Sequence, residues 1–250
     1  MPAPLQSSLK RFQSIRPVHK LLLASALLIL WIGNYTDIDL NLADAMFDQT
    51  SRTFPWRHTW FAERFNHVLL KGVLIAAAIG VIAVAAWDWI RPFNAWRAST
   101  RIGMRVLALS AISVPLVIST LKQFSSSHCP WDLQRYGGDS PFVRLLEWVP
   151  SGVSAGNCLP AGHASSALWL VALAVFWLPH RPRKAAVAAC TLLIFGFAVG
   201  WVQQLRGAHF LTHTLWSMWI SVLIVDSIYQ WFVKRAAATS KTGDTERIAT

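Results

Sequence analysis

Six stretches of this chain are apolar for long enough to set its architecture. They run near residues 20–35, 67–90, 102–121, 163–178, 185–204 and 208–233, and between them the sequence turns polar, charged or rich in proline. A hydrocarbon core about 30 Å thick takes about 20 helical residues to cross. Backbone in lipid must also satisfy its own hydrogen bonds, which leaves helices as the form such runs can take. The pattern therefore predicts an all-α fold, an integral membrane bundle of six transmembrane helices. No linker or internal repeat divides it, so residues 1–235 read as one domain. The remaining 236–250, "AAATSKTGDTERIAT", are small and polar and are predicted to be a disordered tail.

The first run, "LLLASALLILWIG", is short and follows Lys10, Arg11, Arg16 and Lys20, as the apolar core of a signal peptide would. No small-x-small cleavage site comes after it, and a tilted or mismatched helix accommodates the shortness, so it reads as an anchor. Composition agrees with the membrane assignment: 54% of the 250 residues are hydrophobic, 14% are charged, and there are 14 Trp. The net charge of +11 raises nucleic acid as a partner, but its distribution argues against that. Basic residues gather before the first span, at Arg91, Arg97, Arg101 and Arg105, at Arg181, Arg183 and Lys184, and at Lys234, Arg235 and Lys241. These are alternate connections, so the positive-inside rule predicts that both termini are cytoplasmic. The connections left outside, 36–66, 122–162 and 204–209, hold Asp37, Asp39, Asp44, Asp48, Asp132, Asp139 and Glu147. The segment "LADAMFDQTSRTFPWRHTWFAERF" is expected to lie on the outer leaflet as short helices or a structured loop, with Trp56, Trp60 and Phe61 at headgroup level.

Three polar clusters fall at the outer ends of spans. The first is Lys122 with "KQFSSSHCPWDLQRYGG"; the second is Pro160-Ala161-Gly162-His163; the third is "QQLRGAHFLTHTLWS", with Gln203, Arg206, His209 and His213. At the second, Gly162 allows close backbone approach, and the helix that begins there points unpaired N–H groups and its positive dipole end outward, as an anion cradle does. His163 beside it has the chemistry to hand a proton to a leaving oxygen. In the third, His209 and His213 are one helical turn apart. An imidazole attacks phosphorus when its other nitrogen is held by a partner, while Lys122 and Arg206 supply the positive charge that phosphoryl transfer demands.

The order Lys122 to Cys129-Pro130, then Pro160-Ala161-Gly162-His163, then Arg206 with His209 resembles the three-part signature of the type 2 phosphatidic acid phosphatase family, written K-x6-R-P, P-S-G-H and S-R-x5-H-x3-D. The likeness covers Lys122 to His213 and the span count, and marks a divergent member with a CPWDL first motif. It implies a metal-free, cofactor-free hydrolase of membrane lipid phosphates. By that resemblance His209 is the nucleophile that becomes phosphohistidine, His163 the acid, and Lys122 a phosphate ligand beside the Gly162 backbone. Cys129 stands where the family has arginine, Ala161 where it has serine, Gln203 where it has arginine, and His213 where it has aspartate. Arg206 is expected to replace one lost charge, and Arg135 or Arg144 another. His213 is the preferred group to orient His209, with Asp132 the alternative.

Cys129 and Cys158 share the outer 122–162 connection, and an exported loop in a bacterium with a periplasm is oxidising territory. A disulfide between them would brace the first cluster against the second; two free buried thiols are the alternative. Localisation follows as the inner membrane, with the site facing the periplasm or exterior. Candidate substrates are undecaprenyl pyrophosphate, phosphatidylglycerol phosphate, phosphatidic acid and lipid A. A phosphotransferase would use the same phosphohistidine. A zinc hydrolase built on His163, His209, His213, Asp132 and Cys129, and a non-catalytic lipid-binding protein, are the other readings. His19, His58, His67, His128 and His180 read as interfacial or loop residues, and Asp226 as a structural hydrogen-bonder.

Overall fold

The computed structural model describes residues 15–248, with side chains described for 17–238. It is helical, with only two isolated β-bridges, Asp48 with Thr53 and Leu133 with Ser140, among the described residues. Helix α1 runs Ile15–Tyr35 and α2 Ile38–Met46. Helix α3 spans Phe61–Ile90, wound as a π-helix over Phe61–Leu70 and as an α-helix over Lys71–Ile90. Helix α4 covers Ala98–Gln123. Helix α5 is Gly162–Leu168 and continues as a 3-10 helix over Trp169–Trp177. Helix α6 is Pro182–Leu205 and α7 is Leu211–Ile248.

Five of these are long and apolar enough to cross a membrane: Pro17–Tyr35 within α1, α3, α4, α6, and Leu211–Ala238 within α7. The fourth expected span, Gly162–Trp177, is shorter. Its seven α-helical and nine 3-10 residues rise at about 1.5 and 2.0 Å each and reach about 28 Å, against about 24 Å for an all-α segment. At the other end, α7 runs to Ile248, and residues 249–250 of the expected polar tail lie outside the described residues. The alanines at 236–238 are the strongest helix formers and extend the span that precedes them.

The interior is the seam between α4, α5 and α7. Val106, Val114 and Ile118 of α4, Ala164, Leu168 and Trp169 of α5, and Ile220 and Val225 of α7 are buried together. Small residues let backbones approach elsewhere, as they do in membrane bundles generally: a methyl on Gly200 would lie 2.5 Å from Thr214 Cγ2, and one on Gly196 2.3 Å from Leu168 Cδ2. Large apolar side chains such as Leu23, Val73, Ile79, Leu116 and Ile194 point outward, which is the arrangement lipid solvates. A second apolar cluster, Ala43, Phe47, Phe54, Leu133, Tyr136 and Phe210, sits where the connections meet at one end of the bundle. Asp226 accepts from Gln230 and lies 3.3 Å from His19 Nε2, tying α7 to α1.

Candidate functional site

The three polar clusters meet at that same end, and the backbone stitches each to the others. The loop after α4 runs beside the segment before α5: the N–H groups of Gly156, Asn157 and Cys158 donate to the carbonyls of Ser126, Ser125 and Ser127 at 3.2, 2.9 and 3.0 Å. Cys129 and Cys158 close this pairing as a disulfide, with Cα atoms 5.3 Å apart. Trp131 N–H donates to Gly207 O at 3.0 Å, joining the first cluster to the third. Ala161 N–H donates to His213 O at 3.1 Å, and Ser217 Oγ to Ala161 O at 3.0 Å, joining the second to the third. Gly207 makes the bend between α6 and α7 at φ 73°, where its missing side chain also leaves room for Phe54.

These ties bring His163 and His209 together, with ring centroids 6.2 Å apart. Neither ring nitrogen of His163 has a partner among the described residues, although both are buried. His209 is 2% exposed, and its Nδ1 lies 3.4 Å from Cys158 Sγ. That leaves Nε2 without a partner among the described residues. Burial holds His209 well below the ordinary imidazole value of 6.5; repulsion from His213, His163 and Lys122 adds to this, and the Cys158 backbone opposes it. The ring is therefore neutral, the form that has a lone pair to attack with. Lys122 passes Gly162 so closely that a methyl there would sit 4.0 Å from its Cδ, and its charge is felt by His163, His209 and His213.

Arg206 is buried, donating Nε to Arg57 O at 3.1 Å and Nη1 to Gln203 Oε1 at 3.0 Å. Its Nη2 has no partner among the described residues, and its charge reaches His163. Burial lowers the Arg206 pKa from its ordinary value, and Glu63 partly offsets this.

Other expected contributors lie elsewhere. Arg135 forms a two-pronged pair with Asp44 at 2.7 and 2.5 Å, holding that carboxyl below the usual range. Arg144 donates to Asp37 and to Thr36 O. Both arginines fasten the loop after α4 to the segment around α2 and are engaged there with carboxylates. His213 meets His209 edge-on at 5.8 Å between centroids with no hydrogen bond between them. Its Nδ1 is buried and unpartnered. Asp132 makes no bond to either histidine among the described residues. The group at His209 Nδ1 is thus Cys158, where His213 or Asp132 was expected.

Three participants escaped the sequence reading. His67, set aside as interfacial, packs its ring 4.2 Å from that of His163. Lys71, one turn further along α3, acts electrostatically on His67, His163 and Lys122. Asp39 accepts from Thr212 N–H at 3.0 Å and from Thr212 Oγ1, capping the start of α7 from outside the helix. Burial raises its carboxyl above the ordinary value. The i, i+4 spacing of His67 and Lys71 at the start of a span was the available signal, the same one that drew attention to His209 and His213. Beside His213 opens a small cleft lined by Asp39, His128, Arg144, Phe210 and Trp216 among others.

Among the described residues one grouping has metal-ligand proximity: Cys129, Cys158 and His209, with donor atoms within 4.8 Å of one another. Its two sulfurs are bonded to each other, so neither is the thiolate that a metal takes. A family model described as the PAP2 superfamily matches residues 103–237, more than half of the chain and the whole of the three clusters. No curated protein and no solved structure matches the chain.

Proposed function

We propose, since this chain belongs to the PAP2 superfamily and is in that general sense a phosphatase, that it removes phosphate from a lipid phosphate or diphosphate at the outer leaflet through a phosphohistidine on His209. The observation that carries the reading is the pair of imidazoles from separate elements, His163 in the first turn of α5 and His209 in the bend between α6 and α7, 6.2 Å apart, with His163 unpartnered at both nitrogens among the described residues.

In the first step His209 Nε2 attacks phosphorus, an N–P bond forms, and the P–O bond to the lipid breaks. His163 gives its proton to the departing oxygen. In the second, water attacks the phosphohistidine, His163 takes the proton back, the N–P bond breaks, and inorganic phosphate leaves with His209 restored. Lys122, Arg206 and the N–H groups opening α5 hold the phosphoryl oxygens. The bound anion in turn offsets the positive charge gathered there.

A sixth crossing by α5 is part of this reading, supported by its apolar sequence and its length of about 28 Å, close to the hydrocarbon thickness. With six spans and basic residues in alternate connections, both termini lie in the cytoplasm and the site faces outward from the inner membrane. Undecaprenyl pyrophosphate, phosphatidylglycerol phosphate, phosphatidic acid and lipid A are the substrates to try.

The test is phosphate release by purified protein from that panel, following labelled phosphate into free phosphate or into a second lipid. His209→Ala is expected to abolish release, and His163→Ala to lower it by about 10²–10⁴-fold, the usual worth of a proton donor. A chelator is expected to leave the rate unchanged. Undiminished turnover by His209→Ala, or chelator inhibition reversed by zinc, would sink the mechanism.

A further inference from the structure

We infer that the turn of α3 bearing His67 and Lys71 is a fourth wall of this site, Lys71 binding phosphate oxygens and His67 positioning the imidazole of His163. The inference rests on the phosphatase reading above and extends it to a helix outside the three clusters.

Geometry comes first. The His67 ring lies closer to His163 than His209 does, 4.2 against 6.2 Å between centroids, with ring planes tilted by 38°. His67 Nδ1 is buried without a partner, as are both nitrogens of His163. Three orphaned imidazole nitrogens in one place are costly unless something polar occupies the space between them. The turn is also held in place: Asn66 Nδ2 donates to Val199 O of α6 at 3.3 Å, and both groups are buried. This part of α3 is wound as a π-helix, a form that recurs at functional sites.

Charge gives the second argument. Lys71 acts on His67, His163 and Lys122, and Arg206 acts on His67 and His163. Three cations therefore converge on one imidazole from three elements: α3, the end of α4, and the bend after α6. The carboxylate facing this group is Glu63, which acts on His67 and Arg206. None of the three cations has a carboxylate within ion-pair distance among the described residues. Three cations facing one carboxylate, none of them ion-paired with it among the described residues, leave an excess of positive charge that suits an anion, and a phosphoryl group with several anionic oxygens takes more than one cation. Lys71 then supplies charge that Arg135 and Arg144, engaged with Asp44 and Asp37, do not. His67 sets the lateral position of the ring that must reach the leaving oxygen.

The experiment has two arms on the purified full chain in detergent: binding of orthovanadate, read by tryptophan fluorescence, and phosphate release from the best lipid of the panel. Lys71→Met is expected to weaken vanadate binding and raise KM about tenfold or more, the worth of a charged hydrogen bond. Lys71→Arg should keep most of both, and Lys234→Met, far along α7, should match wild type. His67→Ala is expected to lower kcat about tenfold with little change in KM, and His67→Phe, which keeps a ring against His163, to recover most of it. Wild-type vanadate affinity and KM in Lys71→Met would overturn the ligand assignment, and wild-type kcat in His67→Ala the positioning one. If no lipid is turned over by wild type yet Lys71→Met loses vanadate, the phosphatase reading fails while the anion assignment stands. Turnover by wild type with both variants unaffected fails this inference alone.

Discussion

Opening the Cys129–Cys158 bond measures how much of the site depends on a covalent brace. The two cysteines are 29 residues apart, and in the chain-entropy account a loop of that length is worth about 3–4 kcal/mol. The noncovalent ties in the same place are three backbone hydrogen bonds between 125–127 and 156–158, each contributing about 1 kcal/mol net. The brace thus equals all three together, and its loss should lower the melting midpoint by about 10 °C in a chain of this size. Turnover should fall further than stability alone requires, because Cys158 Sγ sits 3.4 Å from His209 Nδ1 and the orientation of the proposed nucleophile goes with it. The assay is a fluorescence melt and a phosphate-release rate on the same sample before and after reductant, with alkylation and intact mass to count thiols in denaturant. Cys190 is the free cysteine, so one label is expected without reductant and three with it. The Cys129→Ala/Cys158→Ala double variant should behave as the reduced protein and ignore reductant. Three labels with an unmoved midpoint and an unmoved rate would refute the brace.

Asp39→Ala removes both bonds to Thr212 that cap α7 and should cost about 1–2 kcal/mol in melts; Asp39→Asn, which keeps an acceptor for the Thr212 N–H, should cost less, and equal losses would contradict the capping account. Gly200→Ala places a methyl 2.5 Å from Thr214 Cγ2 and should destabilise by about 1–3 kcal/mol, with Thr214→Ala restoring part of the loss in the double variant; additive losses would mean the two helices do not meet there. His209 is held neutral by burial, below its ordinary value of 6.5, so the unfolded chain binds more protons than the native one below that pH. Stability from this group is therefore present above about pH 6.5 and is lost as the pH falls. Asp39, raised by burial, works in the opposite sense, so the check is the difference between wild type and His209→Gln in melts from pH 8 to 5. The variant should show the flatter profile, and parallel profiles would remove His209 from the account.

What could be read from the sequence was whatever is encoded locally. Apolar runs near 20–35, 102–121 and 185–204 are helices within a few residues of those bounds, because lipid leaves an apolar run no other way to satisfy its backbone. The meeting of Lys122, His163 and His209 was legible because each stands at a span's end, and adjacent antiparallel spans put those ends on one side. The Cys129–Cys158 bond was legible from the shared connection. Winding was not: the 3-10 stretch of Trp169–Trp177, which packs against α4 and α6, has the apolar composition of any buried helix. His67 was overlooked because an interfacial histidine and a site histidine look alike until the partner ring is located on another span.

The arginines follow from the same limit, and they bear on where the site's charge can come from. Arg135 and Arg144 lie in the correct connection, so proximity along the chain favoured them as replacements for the charges missing at Cys129 and Gln203. In the fold they face acidic residues of the segment around α2, and Arg135 with Asp44 also engages the Tyr136 hydroxyl, which donates to Asp44 Oδ1 at 2.9 Å. Withdrawing such an arginine to serve phosphate would break a two-pronged pair, a geometry that fixes position as well as adding energy, and would loosen Tyr136, which packs against Phe47 and Phe54. A cation already committed to holding the segment around α2 is a poor phosphate ligand. The proposed phosphate charge is then better drawn from side chains that have no ion-paired carboxylate among the described residues, which describes Lys71, Lys122 and Arg206. Arg135→Ala should accordingly lower the melting midpoint while leaving the vanadate affinity of the folded protein unchanged, whereas Lys71→Met should do the reverse. If the two variants exchanged these effects, the loop after α4 rather than α3 would be the phosphate's partner.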